Sequence, residues 1–353
     1  MKRVGYIFKD IYDIENIKLA ITNASKGKKN RRVVRNVLEH QEQAAEEIRE
    51  LLISKSYKPK PYRAFKIMDG ANKKERTIYC PAFYPDQIIH WAVMQIIQPV
   101  IMKGMYEFSC GSIPGRGMHY GKKYLERWIR RDHKNTKYCL KLDIKKYYPH
   151  INKDVLKSQF RAKIKDNEAL WIIDSIIDSH AEGLPIGNYT SQWWANFYLQ
   201  GVDHYIKEVL HIKYYLRYMD DMALFSNNKK ELHKARKLLA TFIAPMGLTL
   251  KENWQVFRVD ARAVDFLGFR FYRNKTTLRK RNALRIRRRI RKANKKGKIT
   301  VEDARAILSY LGWITHSNSH NFYIAYIKPF VNIKKLKEVV SNESRKQHTA
   351  GSV

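Results

Sequence analysis

The sequence predicts an α+β fold, and three observations point that way. Two short aromatic and aliphatic runs, residues 213–219 and 222–226, read as strands joined at a tight tip that carries Asp220 and Asp221. Helical spacing of apolar residues dominates much of the rest, and strands and helices do not alternate as a doubly wound sheet requires. From Arg273 to Lys298 Lys and Arg dominate, with no acid before Glu302, which marks a separate basic helical unit from residue 272 onward.

Taken in order, residues 1–60 read as helical and charged. Glu39 to Leu52 places apolar residues at helical spacing, and Lys58-Pro59-Lys60-Pro61 closes that segment. Residues 62–85 alternate like strands about a turn at Asp69-Gly70-Ala71-Asn72. Helices are expected over 86–103 and 119–131, and Leu140 to Tyr148 reads as a strand that presents Asp143. Helices follow around 153–180 and 190–209, then the Asp220-Asp221 hairpin, then a helix over 229–246. Thr300-Val301-Glu302-Asp303 has capping-box spacing and opens a helix with Ala306, Ile307, Tyr310 and Leu311 on one side. No internal repeat is visible.

At 353 residues the chain is long enough for a large core divided into two or three substructures. Its formal net charge is +36, from 69 basic and 33 acidic residues, and an imbalance this large points to a polyanionic partner. Nucleic acid fits better than a membrane, because no segment reaches the roughly 18 uncharged apolar residues a span needs. The most apolar stretch, Trp91 to Met102, is interrupted by Gln95 and Gln98 and reads as a buried helix. Met1-Lys2-Arg3-Val4 is not followed by a signal region. Cys80, Cys110 and Cys139 lack metal-ligand spacing and are expected to be reduced thiols of a cytoplasmic protein.

The chemistry starts from the carboxylates. Asp220 and Asp221 at one turn repel each other unless a cation lies between them, and Asp143 brings a third carboxylate from another strand. Such a set suits two Mg²⁺ ions about 3.5–4 Å apart, which stabilise the attacking and leaving oxygens of phosphoryl transfer. An isolated Asp-Asp turn is common, and a surface aspartate closing a strand is the plain alternative for Asp143.

Tyr218-Met219-Asp220-Asp221 behind a strand-borne Asp143 resembles the palm of reverse transcriptases, and the likeness runs in order across most of the chain. It implies a right-hand polymerase. Residues 1–60 would be a helical extension, 61–135 the fingers, and 136–271 a palm of antiparallel sheet plus helices, with 153–182 a helical part. Residues 272–353 would be a basic helical thumb and tail. It implies an RNA-directed DNA polymerase in which Asp143, Asp220 and Asp221, with Ile144 beside them, hold two Mg²⁺, Mn²⁺ being able to substitute.

The resemblance also assigns roles around that centre. Tyr148, five residues after Asp143, would lie under the incoming sugar and exclude a 2′-hydroxyl, a core tyrosine being the alternative. Gly183 to Gln192 resembles a loop running into a helix, where Gly187 lets a base pair approach the backbone and Ser191 offers its hydroxyl to a phosphate. The commonest pattern there has Gln-Gly at its start and Ser-Pro at its end; this chain has Ile186-Gly187 and Ser191-Gln192. That combination is similar to the reverse transcriptases of diversity-generating retroelements, which err opposite adenine. Apolar Ile186 in place of glutamine removes a polar check worth on the order of 1–3 kcal/mol of discrimination.

Lys73 to Pro81 resembles the fingers strand that grips the triphosphate, with Arg76 as the fork and Lys66 as a second clamp, although basic hairpins are often only solvated. Asp86-Gln87 stands where the family reads Asp-Arg. Tyr106 to Gly117 is similar to the template-side loop of group II intron enzymes, and Arg116 would meet a phosphate. Lys251 matches a lysine that protonates pyrophosphate, an exposed turn lysine being the alternative. Val264 to Phe269 resembles the primer-end hairpin. Residues 273–298 fit a thumb helix in which Arg285, Arg288, Arg289 and Arg291 contact the duplex through phosphates.

Template RNA, primer, RNA–DNA duplex and dNTPs are the implied ligands, and a small basic oligomeric accessory protein is the implied partner. No zinc cluster, HNH-like segment or RNase H-like carboxylate set remains to be assigned, so target cleavage and template removal are expected to come from other factors. An antiphage defence enzyme that makes atypical or template-independent DNA is the alternative, and a non-catalytic RNA-binding scaffold is a further one.

Overall fold

The computed structural model describes residues 2–69, 74–295 and 299–349. Gly70, Ala71 and Asn72 of the expected turn, Lys73, and Lys298 at the end of the basic run lie outside the described residues. The chain forms two compact units: residues 1–117, 140–224 and 230–255, and residues 118–139, 225–229 and 256–353.

The first unit opens with four helices, α1 (Phe8–Ile11), α2 (Ile14–Ser25), α3 (Arg32–Glu39) and α4 (Gln41–Ile53). Asp13 starts α2 by accepting from the N–H groups of Glu15 and Asn16, and Ile17, Ala20, Ile21 and Ala24 form its buried stripe. Strands β1 (Arg63–Asp69) and β2 (Lys74–Cys80) pair antiparallel, with Lys66 opposite Thr77 and Ile67 opposite Arg76. The apolar helix α5 (Ile88–Met102) is buried along most of its length. Helix α6 (Met118–Arg131) belongs to the second unit.

Next come β3 (Tyr138–Leu142), α7 (Tyr147–His150), α8 (Lys153–Lys163), α9 (Asn167–Asp178), α10 (Tyr189–Tyr198) and α11 (Gln200–His204). They are followed by β4 (Tyr214–Tyr218), β5 (Asp221–Ser226) and α12 (Lys229–Ile243). β4, β5 and β3 are neighbours in that order in one sheet. Helix α10 is buried nearly all round, and Phe160 of α8 packs on its Trp194 and Phe197 at ring separations of 5.7 and 4.9 Å. That core fixes the loop that leads into α10.

The expected strand from Leu140 to Tyr148 stops at Leu142. Beyond it the backbone pairs with a distant segment: Lys251 N–H donates to Asp143 O at 2.8 Å, Lys145 N–H to Thr249 O at 2.8 Å, and Ile144 bridges Leu250. Lys146 then turns left-handed at φ 44°, so Tyr147 and Tyr148 lie on the helical turn α7 rather than on a strand. The helical stretch 153–180 is likewise two helices, because Asp166 caps α9 and also accepts from the N–H groups of Ile7 and Phe8.

The second unit contains α6 and β6 (Gln255–Arg258), then a small sheet β7-β8-β9 (Val264–Phe266, Phe269–Phe271, Thr276–Leu278). Its helices are α13 (Lys280–Lys295), α14 (Val301–Thr315), α15 (His320–Tyr326) and α16 (Ile333–Thr349). Leu267 and Gly268 join β7 to β8, both with positive φ, as a two-residue hairpin loop favours. The basic helix begins at Lys280 rather than at 273 because Thr276 to Leu278 pairs with β8 as a third strand. Thr300 caps α14 by accepting from the N–H of Asp303 at 3.1 Å. Among the described residues no helix is long and apolar enough to cross a membrane.

Candidate active site

Strand β4 ends at Tyr218 and β5 begins at Asp221, so Met219 and Asp220 form a two-residue turn, with Met219 left-handed at φ 54°. Asp220 is half-buried and Asp221 exposed. Burial pushes the Asp220 carboxyl up to about 6, and the negative charges of Asp143 and Asp221 add to that while Lys251 opposes it. Asp143 follows directly on β3. Its Oδ2 is ion-paired with the Lys251 ammonium, and its Oδ1 is buried without a hydrogen-bond partner. Asp143, Asp221 and Lys251 are therefore close enough to act electrostatically on Asp220.

Among the described residues no three His, Cys, Asp or Glu side chains already converge as a metal cage, and Asp143 is ion-paired with Lys251. The donor chemistry nevertheless fits a hard divalent cation. All three groups are carboxylates, one buried oxygen lacks a partner, and their mutual repulsion is what a cation relieves. Ile144 is buried, and the two hydrogen bonds flanking its bridge to Leu250 use the groups of its neighbours, not its own carbonyl.

Around this centre the tyrosines separate. Tyr147 is in the core and its hydroxyl donates to Ala195 O. Tyr148 is half-buried, and its hydroxyl is held well above the usual phenol range by burial and by the charge of Asp220, with Arg76 acting the other way. Tyr148, Asp220 and the exposed Arg76 thus share one electrostatic neighbourhood. Lys66 pairs instead with Glu75 at 3.0 Å across the exposed hairpin.

The loop before α10 holds a different surprise. Gly187 has φ +128°, and a Cβ built on it would lie 2.4 Å from the Tyr79 carbonyl oxygen. The backbone of β2 is therefore what demands glycine here, and Tyr79 N–H donates to Ile186 O at 2.8 Å in the same contact. Ile186 is half-buried and Gln192 exposed, whereas Ser191 is 1% exposed with an unpartnered hydroxyl. The Ser191 hydroxyl faces the interior, not a phosphate at the surface.

Sequence reasoning missed what lies under the hairpin. Arg217, in mid-β4, and Asp203, on α11, are both 0% exposed and form an ion pair with distances of 2.6 and 2.7 Å. Asn196 of α10 accepts from Arg217 at 3.0 Å and Tyr215 donates to Asp203 at 2.8 Å. The available signal was an arginine inside an otherwise apolar strand, which cannot be buried alone.

A family model described as reverse transcriptase (RNA-dependent DNA polymerase) matches residues 59–271, more than half of the chain. The chain belongs to the reverse transcriptase family. No curated protein matches the sequence. Among solved structures, telomerase from Candida albicans in complex with a TWJ fragment of telomeric RNA is similar at TM-score 0.51 and 13% identity, over 86% of this chain and 60% of that one. Apo telomerase from Candida tropicalis is similar at TM-score 0.46 and 15% identity, over 60% and 47% of the two chains. The chain thus spans between about half and three fifths of the length of these telomerase chains. The fold is the mixed α and β right-hand polymerase fold.

The residues this reverse transcriptase was expected to turn toward nucleic acid differ in availability. In the first unit, Arg116 spends one donor on Tyr106 O at 2.8 Å. In the second, Arg285, Arg288 and Arg291 of α13 are all exposed, Arg285 also lying over the Tyr310 ring at 5.7 Å. Arg289 is tied to Glu302 at 3.0 Å and Asp303 at 2.7 Å, so it joins α13 to α14.

Proposed function

We propose that this reverse transcriptase makes cDNA from an element RNA by extending a primer with deoxynucleotides at Asp143, Asp220 and Asp221. The observation that carries this reading is the gathering of Asp143, Asp220 and Asp221 at one hairpin, where burial first, and then the charges of Asp143 and Asp221, push the Asp220 carboxyl up to about 6. Divalent ions bound by these carboxylates and the Ile144 carbonyl would activate the primer 3′-hydroxyl and neutralise the departing pyrophosphate.

The chain's own groups then have distinct tasks. Lys251, beside Asp143, holds the proton that the leaving pyrophosphate takes up. Arg76 binds triphosphate oxygens through its planar fork, and Tyr148 lies under the sugar and excludes a 2′-hydroxyl. Arg288 and Arg291 contact duplex phosphates, and the net charge of +36 supports a polyanionic substrate.

The finer reading is a diversity-generating retroelement enzyme that errs at template adenines and works with a structured RNA and a basic oligomeric accessory protein. Ile186 supports it, because it brings an apolar side chain where glutamine would offer a hydrogen bond. The test is primer extension on a defined RNA with Mg²⁺ and dNTPs, sequenced beside an Asp220→Asn control. Product that is absent in the control and mutated opposite adenine is expected. Extension by the Asp220→Asn variant at the wild-type rate would overturn the site, and faithful product would overturn the retroelement assignment.

A further inference from the structure

We propose that Arg217 and Asp203 are positioning residues that hold the Met219-Asp220 turn in its working shape, so that the register of α10 and α11 sets where the Asp220 carboxylate points. The inference rests on the polymerase reading above.

A guanidinium has five N–H donors in a fixed plane, and all five of Arg217 are used. Nε donates to Asp203 Oδ1 at 2.7 Å, and Nη2 donates to Asp203 Oδ2 at 2.6 Å and Asn196 O at 3.4 Å. Nη1 donates to Asn196 Oδ1 at 3.0 Å and to Met219 O, also at 3.0 Å. One plane thus joins α11, α10 and the carbonyl that immediately precedes Asp220.

Met219 needs such support. Its φ of 54° is uncommon for a residue with a side chain, and such conformations persist where the surroundings over-determine them. Here the surroundings act from three directions. Arg217 holds the Met219 carbonyl, Asn196 Nδ2 lies 3.4 Å from its sulfur, and a Cβ built on Gly111 would be 2.6 Å from its Cγ. Asn196 Nδ2 also donates to Gly111 O at 2.7 Å, and Arg217 pairs with the 108–110 backbone through N–H to Phe108 O at 3.0 Å and O from Cys110 N–H at 2.8 Å. The turn cannot relax without moving this whole set.

A buried ion pair is not by itself evidence of such a role, since well-packed apolar residues often replace one without loss of stability. That substitution is the discriminating experiment. Asp203→Leu with Arg217→Met removes both charges together but leaves Met219 O and Asn196 Oδ1 without their donor and the Tyr215 hydroxyl without its acceptor. Four quantities are measured on the full chain: thermal midpoint, Kd for a primer–template by anisotropy, dNTP kcat and KM, and affinity for Tb³⁺ read by tyrosine-sensitised luminescence. The expected result is a chain that still folds cooperatively with a lowered midpoint and a primer–template Kd close to wild type, with kcat and Tb³⁺ affinity, measured well below that midpoint, each down ~10–100-fold, the range for residues that orient metal ligands.

Wild-type kcat and Tb³⁺ affinity in the folded double variant would overturn the proposal and leave a purely structural pair. Should the double variant not fold, Arg217→Lys keeps the charge opposite Asp203 but lacks the planar fork, and the same split between stability and Tb³⁺ affinity is expected. A wild-type chain that binds primer–template and Tb³⁺ but extends nothing counts against the polymerase reading alone, because the Tb³⁺ comparison still decides the role of the pair.

Discussion

Replacing Gly187 by alanine separates two reasons for glycine at that position. If the residue serves only to let a base pair approach, the variant folds normally and fails in catalysis. The geometry says otherwise. A Cβ there would sit 2.4 Å from Tyr79 O and 3.0 Å from Ile78 Cγ2, on a backbone at φ +128° that side-chain-bearing residues rarely adopt. Forcing such a conformation costs about 1–3 kcal/mol. Pushing β2 away also weakens the 2.8 Å bond from Tyr79 N–H to Ile186 O, worth about 0.5–1.5 kcal/mol. The sum of these two effects is about 1.5–4.5 kcal/mol. At the ~2–4 °C per kcal/mol typical of larger domains, the thermal midpoint should fall by roughly 3–18 °C. Calorimetry or circular dichroism on purified Gly187→Ala checks this, with dNTP KM measured alongside. A midpoint unchanged within about 1 °C, which is under 1 kcal/mol on that scale, together with lost activity would refute the reasoning and return Gly187 to a role in substrate access.

Three further outcomes follow from the same structure. His90 is buried and its pKa is depressed to about 3, against 6.5 for an ordinary histidine, because burial disfavours the imidazolium. Its neutral form therefore supports the fold above pH 6.5, and that support is lost as pH falls below it, at about 1.4 kcal/mol per pH unit or about 2 kcal/mol by pH 5. The drop in thermal midpoint from pH 7 to pH 5 should be smaller in His90→Gln than in wild type; equal drops would exclude this origin. In the second unit, Arg288→Ala and Arg291→Ala should each lower duplex affinity and reduce the salt slope by about 1, whereas Arg289→Ala should leave the slope unchanged and cost about 1 kcal/mol of stability or less. Tyr148→Ala should raise the use of ribonucleotides relative to deoxynucleotides at least ~10-fold in kcat/KM, if removing steric exclusion is worth about 1.4 kcal/mol or more; unchanged discrimination would exclude the steric role.

The α+β character and the carboxylate hairpin were legible because their signals are local. Two short apolar runs flank Asp220 and Asp221, and a strand of Cys139, Leu140 and Leu142 ends just before Asp143. What was not legible depends on partners far along the chain. The strand expected through Tyr148 ends early because residues 143–145 pair with 249–251, and no local pattern announces a segment about a hundred positions away. The same holds for Gly187, whose glycine signature is visible in sequence while its reason, the Tyr79 carbonyl, is not. Arg217 and Asp203 are only 14 positions apart, but they read as unrelated charges until α11 and β4 are folded against each other.

The basic excess invites the same care, because composition gives only an upper bound on the charge available to nucleic acid. Several arginines of the run after residue 272 are committed within the second unit itself. Arg273 pairs with Asp260 at 2.7 Å and donates to Thr136 Oγ1 at 2.6 Å, Arg279 pairs with Asp265, and Arg289 pairs with Glu302 and Asp303. Arg287 lies over the Tyr326 ring, while Arg285 lies over that of Tyr310 but stays exposed. These groups fix the sheet and helices of the unit, and a paired guanidinium releases few counterions when a phosphate approaches. Arg288 and Arg291 are one turn apart on α13 and exposed, at the spacing that lets two cations face one phosphate backbone. A duplex lying along α13 should therefore show a salt slope set by a few exposed cations, far smaller than the sequence total of 69 basic residues suggests.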